Sequence, residues 1–249
     1  MTINTLGILT GISYISGLDY YEGINRLVTS KLGKAHVMAP NPRIVMASVD
    51  CDRYVHYLTS SQFNKVDDHL LAGVKQLVDA ECDFLAIASN TGHISVPAIN
   101  AAYPHLQLIH IADCAAAAIH KGRFSKVGLI GTQPTMKNDF LKARLKRHNI
   151  ETIVPDCMED QARIYNIICQ ELSFNIIKED SREFIISVMS KMVNQGATAC
   201  LLGCTEIELL VRQENIPDTP LLPSAAIHIK EVSRILLGTR SLNDLLPPV

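Results

Sequence analysis

Two short segments far apart in the chain carry its most reactive side chains: Ala88-Ser89-Asn90-Thr91-Gly92-His93 and Gly203-Cys204-Thr205-Glu206. Each follows an apolar run with the look of a buried strand, Phe84-Leu85-Ala86-Ile87 in one case and Ala199-Cys200-Leu201-Leu202 in the other. Each sets a group able to hold or pass a proton at the strand end, with a threonine close behind. A strand-end device present twice can offer two such groups to opposite faces of one small substrate. The two arms differ, however, because Cys204 brings a thiol and Ser89 a hydroxyl. Serine is a far weaker acid, so its alkoxide is scarce without strong activation. Residues 205–212 read as a helix, whose N-terminus would favour thiolate at Cys204. Thr205 and the first amides of that helix can also hold a carboxylate.

Other strand ends add hydroxyls and exposed amides: Thr10-Gly11-Ile12-Ser13 and Gly131-Thr132-Gln133-Pro134-Thr135. Neither has the G-x-G-x-x-G spacing of a dinucleotide site, and the chain lacks a P-loop or a G-x-S-x-G elbow. Seven cysteines, at 51, 82, 114, 157, 169, 200 and 204, form no CxxC pair. No His/Cys/Asp/Glu cluster has zinc-site spacing, so no metal is expected. Apart from Cys204, most of these thiols are expected to be small buried apolar residues.

Such strand ends need a scaffold. Strands are expected at residues 6–9, 44–49, 84–88, 108–111, 127–130, 152–154, 199–202 and 221–222. Helix-like stretches lie between them, among them 62–80, where Val66, Leu70, Val74 and Leu77 recur at helical steps, with 140–147 and 181–194. Short apolar strands separated by helices predict an α/β fold of mostly parallel sheets flanked by helices. Gly128-Leu129-Ile130-Gly131-Thr132 echoes Gly7-Ile8-Leu9-Thr10-Gly11, and the Cys204 and Ser89 segments follow at comparable intervals. That echo predicts two pseudo-symmetric domains, 1–115 with 214–249 and 116–213, with the active site in the cleft between them. Ligands bind beyond the carboxyl ends of parallel strands, so both strand-end segments are expected to face that cleft.

Composition sets the remaining bounds. A chain of 249 residues, 47% hydrophobic and 19% charged, reads as compact, globular and enzyme-like rather than disordered. Its net charge of −2 and scattered basic residues exclude a clustered nucleic-acid footprint. No apolar run reaches the roughly 20 residues that span a bilayer, and the first residues carry no export signal. No membrane association and a cytoplasmic location, where thiols stay reduced, are therefore expected.

Gly7-Ile8-Leu9-Thr10-Gly11-Ile12-Ser13, Ser48-Val49-Asp50, Ser89-Asn90-Thr91-Gly92-His93, His110-Ile111-Ala112-Asp113, Gly131-Thr132-Gln133-Pro134-Thr135-Met136, Leu202-Gly203-Cys204-Thr205-Glu206-Ile207 and Ala226-Ile227-His228 follow one another along the chain. In that order they resemble the aspartate/glutamate racemase family over essentially the whole sequence. The resemblance implies a cofactor-independent amino-acid racemase using two-base α-proton transfer, acting on aspartate or glutamate, and a homodimer. It casts Cys204 and Ser89 as the two catalytic arms, with Ser89 where the family's first cysteine stands. It places Ser13, Arg53, Asn90, Thr91, Thr132, Arg163 and Thr205 at the substrate, and His93 and His228 as accessory residues. A forked guanidinium at Arg163 or Arg53 suits a carboxylate better than an ammonium does. Where the family has an Asp-Ser/Thr pair near the C-terminus, this chain has Pro223-Ser224. Ser89 predicts slow or direction-biased racemisation, or none. Two other readings use the same residues: a single-thiol decarboxylase or cis–trans isomerase on this scaffold, and a binding protein that has lost one catalytic arm.

Overall fold

The computed structural model describes residues 4–33, 38 and 40–248; residues 1–3, part of the start read for an export signal, lie outside the described residues. The elements run β1 (Thr5–Thr10), α1 (Tyr14–Leu32), β2 (Arg43–Ser48), α2 (Cys51–Thr59), α3 (Phe63–Asp79), β3 (Phe84–Ile87), α4 (Val96–Ala102), β4 (Gln107–Ile109) and α5 (Ile111–Lys121). They continue as β5 (Lys126–Gly131), α6 (Gln133–Lys137), α7 (Phe140–Arg147), β6 (Glu151–Ile153), α8 (Met158–Gln170), α9 (Glu179–Asn194), β7 (Cys200–Gly203), α10 (Ile207–Leu210), β8 (Leu221–Pro223) and α11 (Ser224–Leu236). Every expected strand is present.

The strands make two four-stranded sheets with the same order, β2-β1-β3-β4 and β6-β5-β7-β8. Every pairing is parallel. This is the expected α/β architecture, and the shared order gives the echo between the halves of the sequence a structural basis.

Contacts divide the chain into a first unit, Met1–His110 with His228–Asp244, and a second, Ile111–Ile227 with Leu245–Val249. The chain thus passes to the second unit at 111 and returns at 228, compared with the expected 116 and 214. Residues 214–227 stay with the second unit because β8 pairs with β7, Cys200 opposite Leu221. Proline at 223 is accommodated because β8 is an edge strand.

In the first unit the α3 stripe Val66, Leu70, Val74 and Leu77 is buried against Leu9, Leu85 and Ile87. In the second, alternate residues of one strand serve opposite faces of the sheet. Ile130, Cys200 and Leu202 join α8 and α9 through Ile164, Ile168, Ile185 and Met189. Val127, Leu129, Ala199 and Leu201 join α5 and α7 through Ala115, Ile119, Leu141 and Leu145. Each large apolar side chain so buried contributes about 1.5–3 kcal/mol.

Asp113, 2% exposed, ties α5 to α7 in the second unit. It accepts from Arg144 Nε and Nη2 at 2.7 Å each, and His148 Nε2 lies 2.8 Å from Oδ1. The geometry is bidentate, the form in which a guanidinium holds a carboxylate most firmly.

Two expectations are corrected. The helix expected over 205–212 shrinks to the single turn α10, because Arg182 Nε takes the Leu210 carbonyl at 2.8 Å and Val211 turns extended into the core. The cysteines are not uniformly buried either: Cys82, Cys114, Cys200 and Cys204 are, whereas Cys157 and Cys169 are half-exposed and Cys51 is exposed.

Candidate active site

In each sheet the strand order reverses beside the first strand of its unit, between β1 and β3 and between β5 and β7. Such switch points open a crevice at the carboxyl ends of parallel strands, where ligands bind. Ser89 follows β3 and Cys204 follows β7, so the two occupy topologically equivalent positions beside those openings.

The Cys204 end is built at close quarters. A Cβ on Gly131 would lie 2.6 Å from the Gly203 carbonyl oxygen, so only glycine lets the β5 and β7 ends meet at the backbone. Thr132 caps α6, accepting from the Thr135 amide at 3.4 Å, with the two threonine hydroxyls 3.0 Å apart. Cys204 is 5% exposed, and its thiol donates to Glu206 Oε2 at 3.0 Å. The Thr205 hydroxyl donates to the same oxygen at 2.6 Å. Thr205 is therefore held on Glu206 through its proton, and its oxygen keeps the capacity to accept.

Burial pushes the Cys204 thiol well above the usual thiol range, and the charge and hydrogen bond of Glu206 push it the same way. The amides of Glu206 and Ile207 oppose this but do not prevail. The expectation of a thiolate held by a helix end is thus corrected: one short turn cannot outweigh burial beside a carboxylate. At rest Cys204 is a protonated thiol with a proton acceptor already in contact.

The surroundings of Glu206 extend to α8. Burial raises the Cys169 thiol, the Tyr165 hydrogen bond lowers it, and the Glu206 charge raises it further. Burial, with Cys169 beside it, pushes the Tyr165 phenol up to about 12. Arg163 lies on the exposed side of α8, with its guanidinium carbon 3.9 Å from the centre of the Phe184 ring on α9.

In the first unit, Ser89 Oγ accepts from the Gly92 amide at 3.2 Å, which fastens the 3₁₀ turn Thr91–Ser95 to the end of β3. His93 Nδ1 lies 2.7 Å from the Ser89 carbonyl oxygen. A carbonyl only accepts, so this nitrogen carries a hydrogen. Asn90, Thr91 and His93 are buried, and Ser13 caps α1 by accepting from the Ser16 amide at 3.4 Å. Arg53, on the first turn of α2, is exposed, with Nε 3.6 Å from Asp50 Oδ2.

Three buried histidines gather in this unit. His93 packs against His110 at 4.6 Å and His228 at 6.0 Å between ring centres. His228 Nε2 reaches the Ile109 carbonyl at 2.8 Å, so it carries the hydrogen, and Nδ1 accepts from the Tyr20 hydroxyl at 2.7 Å. Burial and then the neighbouring His93 lower His228 to about 3. His228 is consequently a neutral, fully bonded ring.

The first unit therefore brings together Ser13, Ser89, Asn90, Thr91 and His93, with His228 behind them and Arg53 on the outer strand's helix. The second brings together Thr132, Cys204 and Thr205, with Arg163 on the outer face of α8. Glu206 was missed as a functional residue, although it stands two places after the thiol in the quoted segment. His110 was missed too, because its contacts come from segments distant in sequence.

Residues 9–232 match the family model Asp/Glu/Hydantoin racemase. The chain belongs to that family. Among solved structures, this member of the racemase family is similar to a candidate Asp/Glu racemase from Yersinia pestis, at 33% identity and a TM-score of 0.84 over 94% of this chain and 99% of that one. It is also similar to an aspartate racemase homologue from Pyrococcus horikoshii OT3, at 26% identity and a TM-score of 0.77 over the same shares. The fold extends to a glutamate racemase from Francisella tularensis subsp. tularensis SCHU S4 in complex with D-glutamate, at 19% identity and a TM-score of 0.66 over 100% of this chain and 85% of that one. Among the described residues no helix is long and apolar enough to cross a membrane, and no group of three or more His, Cys, Asp or Glu could hold a metal ion.

Proposed function

We propose that this racemase-family chain inverts the α-carbon of aspartate or glutamate by two-base proton transfer, with no cofactor. Cys204 serves one face of the α-carbon and Ser89 the other. The observation that carries this is the Cys204 thiol in hydrogen-bond contact with the buried Glu206 carboxylate, at the strand end equivalent to that of Ser89.

As an acid, Cys204 gives its S–H proton to the carbanion. As a base, its sulfur takes the α-proton while its own proton passes to Glu206 Oε2; the thiol is restored and Glu206 holds one proton more. Ser89, having given its own proton to the carbanion on the other face, regains one from solvent as Glu206 releases its extra proton, and the site is reset. A positioned acid–base group of this kind typically supplies 10²–10⁴-fold in rate. Ser89 is the weaker arm. The Gly92 amide on its oxygen favours developing negative charge there, which is the activation a hydroxyl needs. Inversion through this weaker arm is slow, and because the two enantiomers are equal in energy any directional bias appears in kcat with a matching change in KM.

Arg53 and Arg163 are the guanidiniums proposed for the substrate carboxylates, each leaving its present partner, Asp50 or Phe184, for the ligand. By family likeness the working form is a homodimer, which light scattering tests.

Incubation of L- and D-aspartate and L- and D-glutamate with the protein in D2O, followed by Cα deuterium and optical rotation, tests the function. Deuterium gain with loss of optical activity on one of these pairs is expected. Deuterium gain with retained configuration would leave Cys204 as a single working base. Absence of exchange on all four would overturn the racemase function.

A further inference from the structure

We infer that Ser16, on the first turn of α1, is a positioning residue for the Ser89 arm; this rests on the function proposed above. Ser16 is 1% exposed, and its hydroxyl donates to the Ala88 carbonyl at 2.7 Å. Ala88 is itself buried, and its amide donates to Leu9 O of β1 at 2.9 Å. The peptide linking Ala88 to Ser89 therefore has its oxygen fixed from α1, and the one before it is anchored in the sheet.

The next carbonyl, that of Ser89, is held by His93 Nδ1, and the Ser89 hydroxyl by the Gly92 amide. These two bonds lie within one five-residue turn and can move with it. Ser16 supplies a bond that comes from a different element, so it contributes to where the turn points relative to the sheet. The plane of that peptide sets the axis about which the Ser89 Cα–Cβ bond can turn.

Helix α1 is docked closely enough to impose this. A Cβ at Gly17 would lie 2.1 Å from Thr10 Oγ1, so glycine lets the first turn of α1 sit directly on the end of β1. Ser13 caps the helix through the Ser16 amide, and the Ser16 side chain then reaches across to β3. A serine inside a helix more often bonds back to its own preceding turn. Here it spends its hydroxyl 72 residues away, on the residue preceding the candidate acid–base group.

The test uses the Ser89→Cys chain, which carries a thiol that reports its own environment, with Ser, Ala or Thr at position 16. The pH profile of iodoacetamide alkylation at residue 89, read by peptide mass spectrometry, reports how well the Gly92 amide still meets the reactive atom. Ser16→Ala is expected to raise its midpoint by about half a pH unit or more, because that amide no longer favours the anion. Ser16→Thr, which keeps the hydroxyl, is expected to hold the midpoint of the Ser16 chain. The profile at Cys51 serves as the control and is expected to stay in place. An unmoved midpoint at residue 89 in Ser16→Ala would overturn the role of Ser16, and so would an equal displacement at Cys51. The readout needs no racemase activity, so a chain inert toward every amino acid would sink the proposed function and leave this result decisive for Ser16.

Discussion

Cys204 Sγ and Glu206 Oε2 lie 3.0 Å apart, the thiol donating and the carboxylate accepting. The pair explains how a cysteine held well above the usual thiol range can still act as a base. The thiol need not ionise into bulk water, because its proton has a destination in contact with it.

Replacing Glu206 by Gln separates acidity from catalysis. The carboxylate's charge and hydrogen bond both hold the Cys204 proton on, while the Glu206 and Ile207 amides favour the anion. Glu206→Gln should therefore make the thiol more acidic, and its alkylation at pH 8 should rise by about tenfold for each pKa unit lost. α-Proton exchange should nevertheless fall about 10²-fold, because the proton acceptor is gone. Faster alkylation with undiminished exchange would remove Glu206 from the mechanism.

The Ser89 arm makes an opposite forecast. Ser89→Cys supplies a stronger acid at the same strand end and should raise two-way racemisation by about tenfold or more. Progress curves from each pure enantiomer measure it. A variant no faster in either direction would place the limiting step away from Ser89.

Two buried groups, His228 in the first unit and Cys200 in the second, should weaken the fold at opposite ends of the pH scale. His228 is lowered to about 3, so the folded state holds it neutral while the unfolded chain protonates near 6.5. Its stabilisation is complete above pH 6.5 and is lost as pH falls toward 3, by about 1.4 kcal/mol per pH unit. Cys200, pushed up by burial to about 12 from an ordinary 9.0, behaves in reverse. Its stabilisation is complete below pH 9 and is lost as pH rises toward 12. Hydrogen exchange resolved by peptide should show the segments packed around His228 losing protection in acid and those packed around Cys200 losing it in alkali. His228→Gln should flatten the acid limb alone; an unchanged acid limb would contradict the assignment.

Asp113 should matter to stability and not to chemistry. Removing its charge leaves Arg144 and His148 around a neutral amide in a buried site. Asp113→Asn is expected to cost about 3–5 kcal/mol, since breaking a buried pair strands the remaining charge. Denaturant unfolding measures the loss; a change under 1 kcal/mol would show the cluster to be dispensable.

The scaffold was legible because apolar spacing reports burial directly. Val66, Leu70, Val74 and Leu77 advertise one face of α3, and the unbroken apolar runs at 127–130 and 199–202 advertise strands covered on both sides. The strand-end positions of Ser89 and Cys204 followed from the same runs. What spacing could not show is where polar side chains turn. Glu206 folds back onto its own turn, and the helix expected after it ends early because Arg182, remote in sequence, takes the Leu210 carbonyl. His93, His110 and His228 come from three separate segments, and only the folded chain brings their rings together. Ser16 looks like any serine on a helix until Ala88 is seen beneath it.

The central claim is that two different groups serve the two faces of one α-carbon. Its most direct measurement is the early time course of a pure L-enantiomer in D2O, with Cα deuterium read separately in recovered substrate and in product. Two arms predict deuterium in the D-product from the first turnovers while recovered L-substrate stays protiated. Deuterium entering the L-substrate as fast as, or faster than, D-product forms would contradict the account and leave one base acting alone.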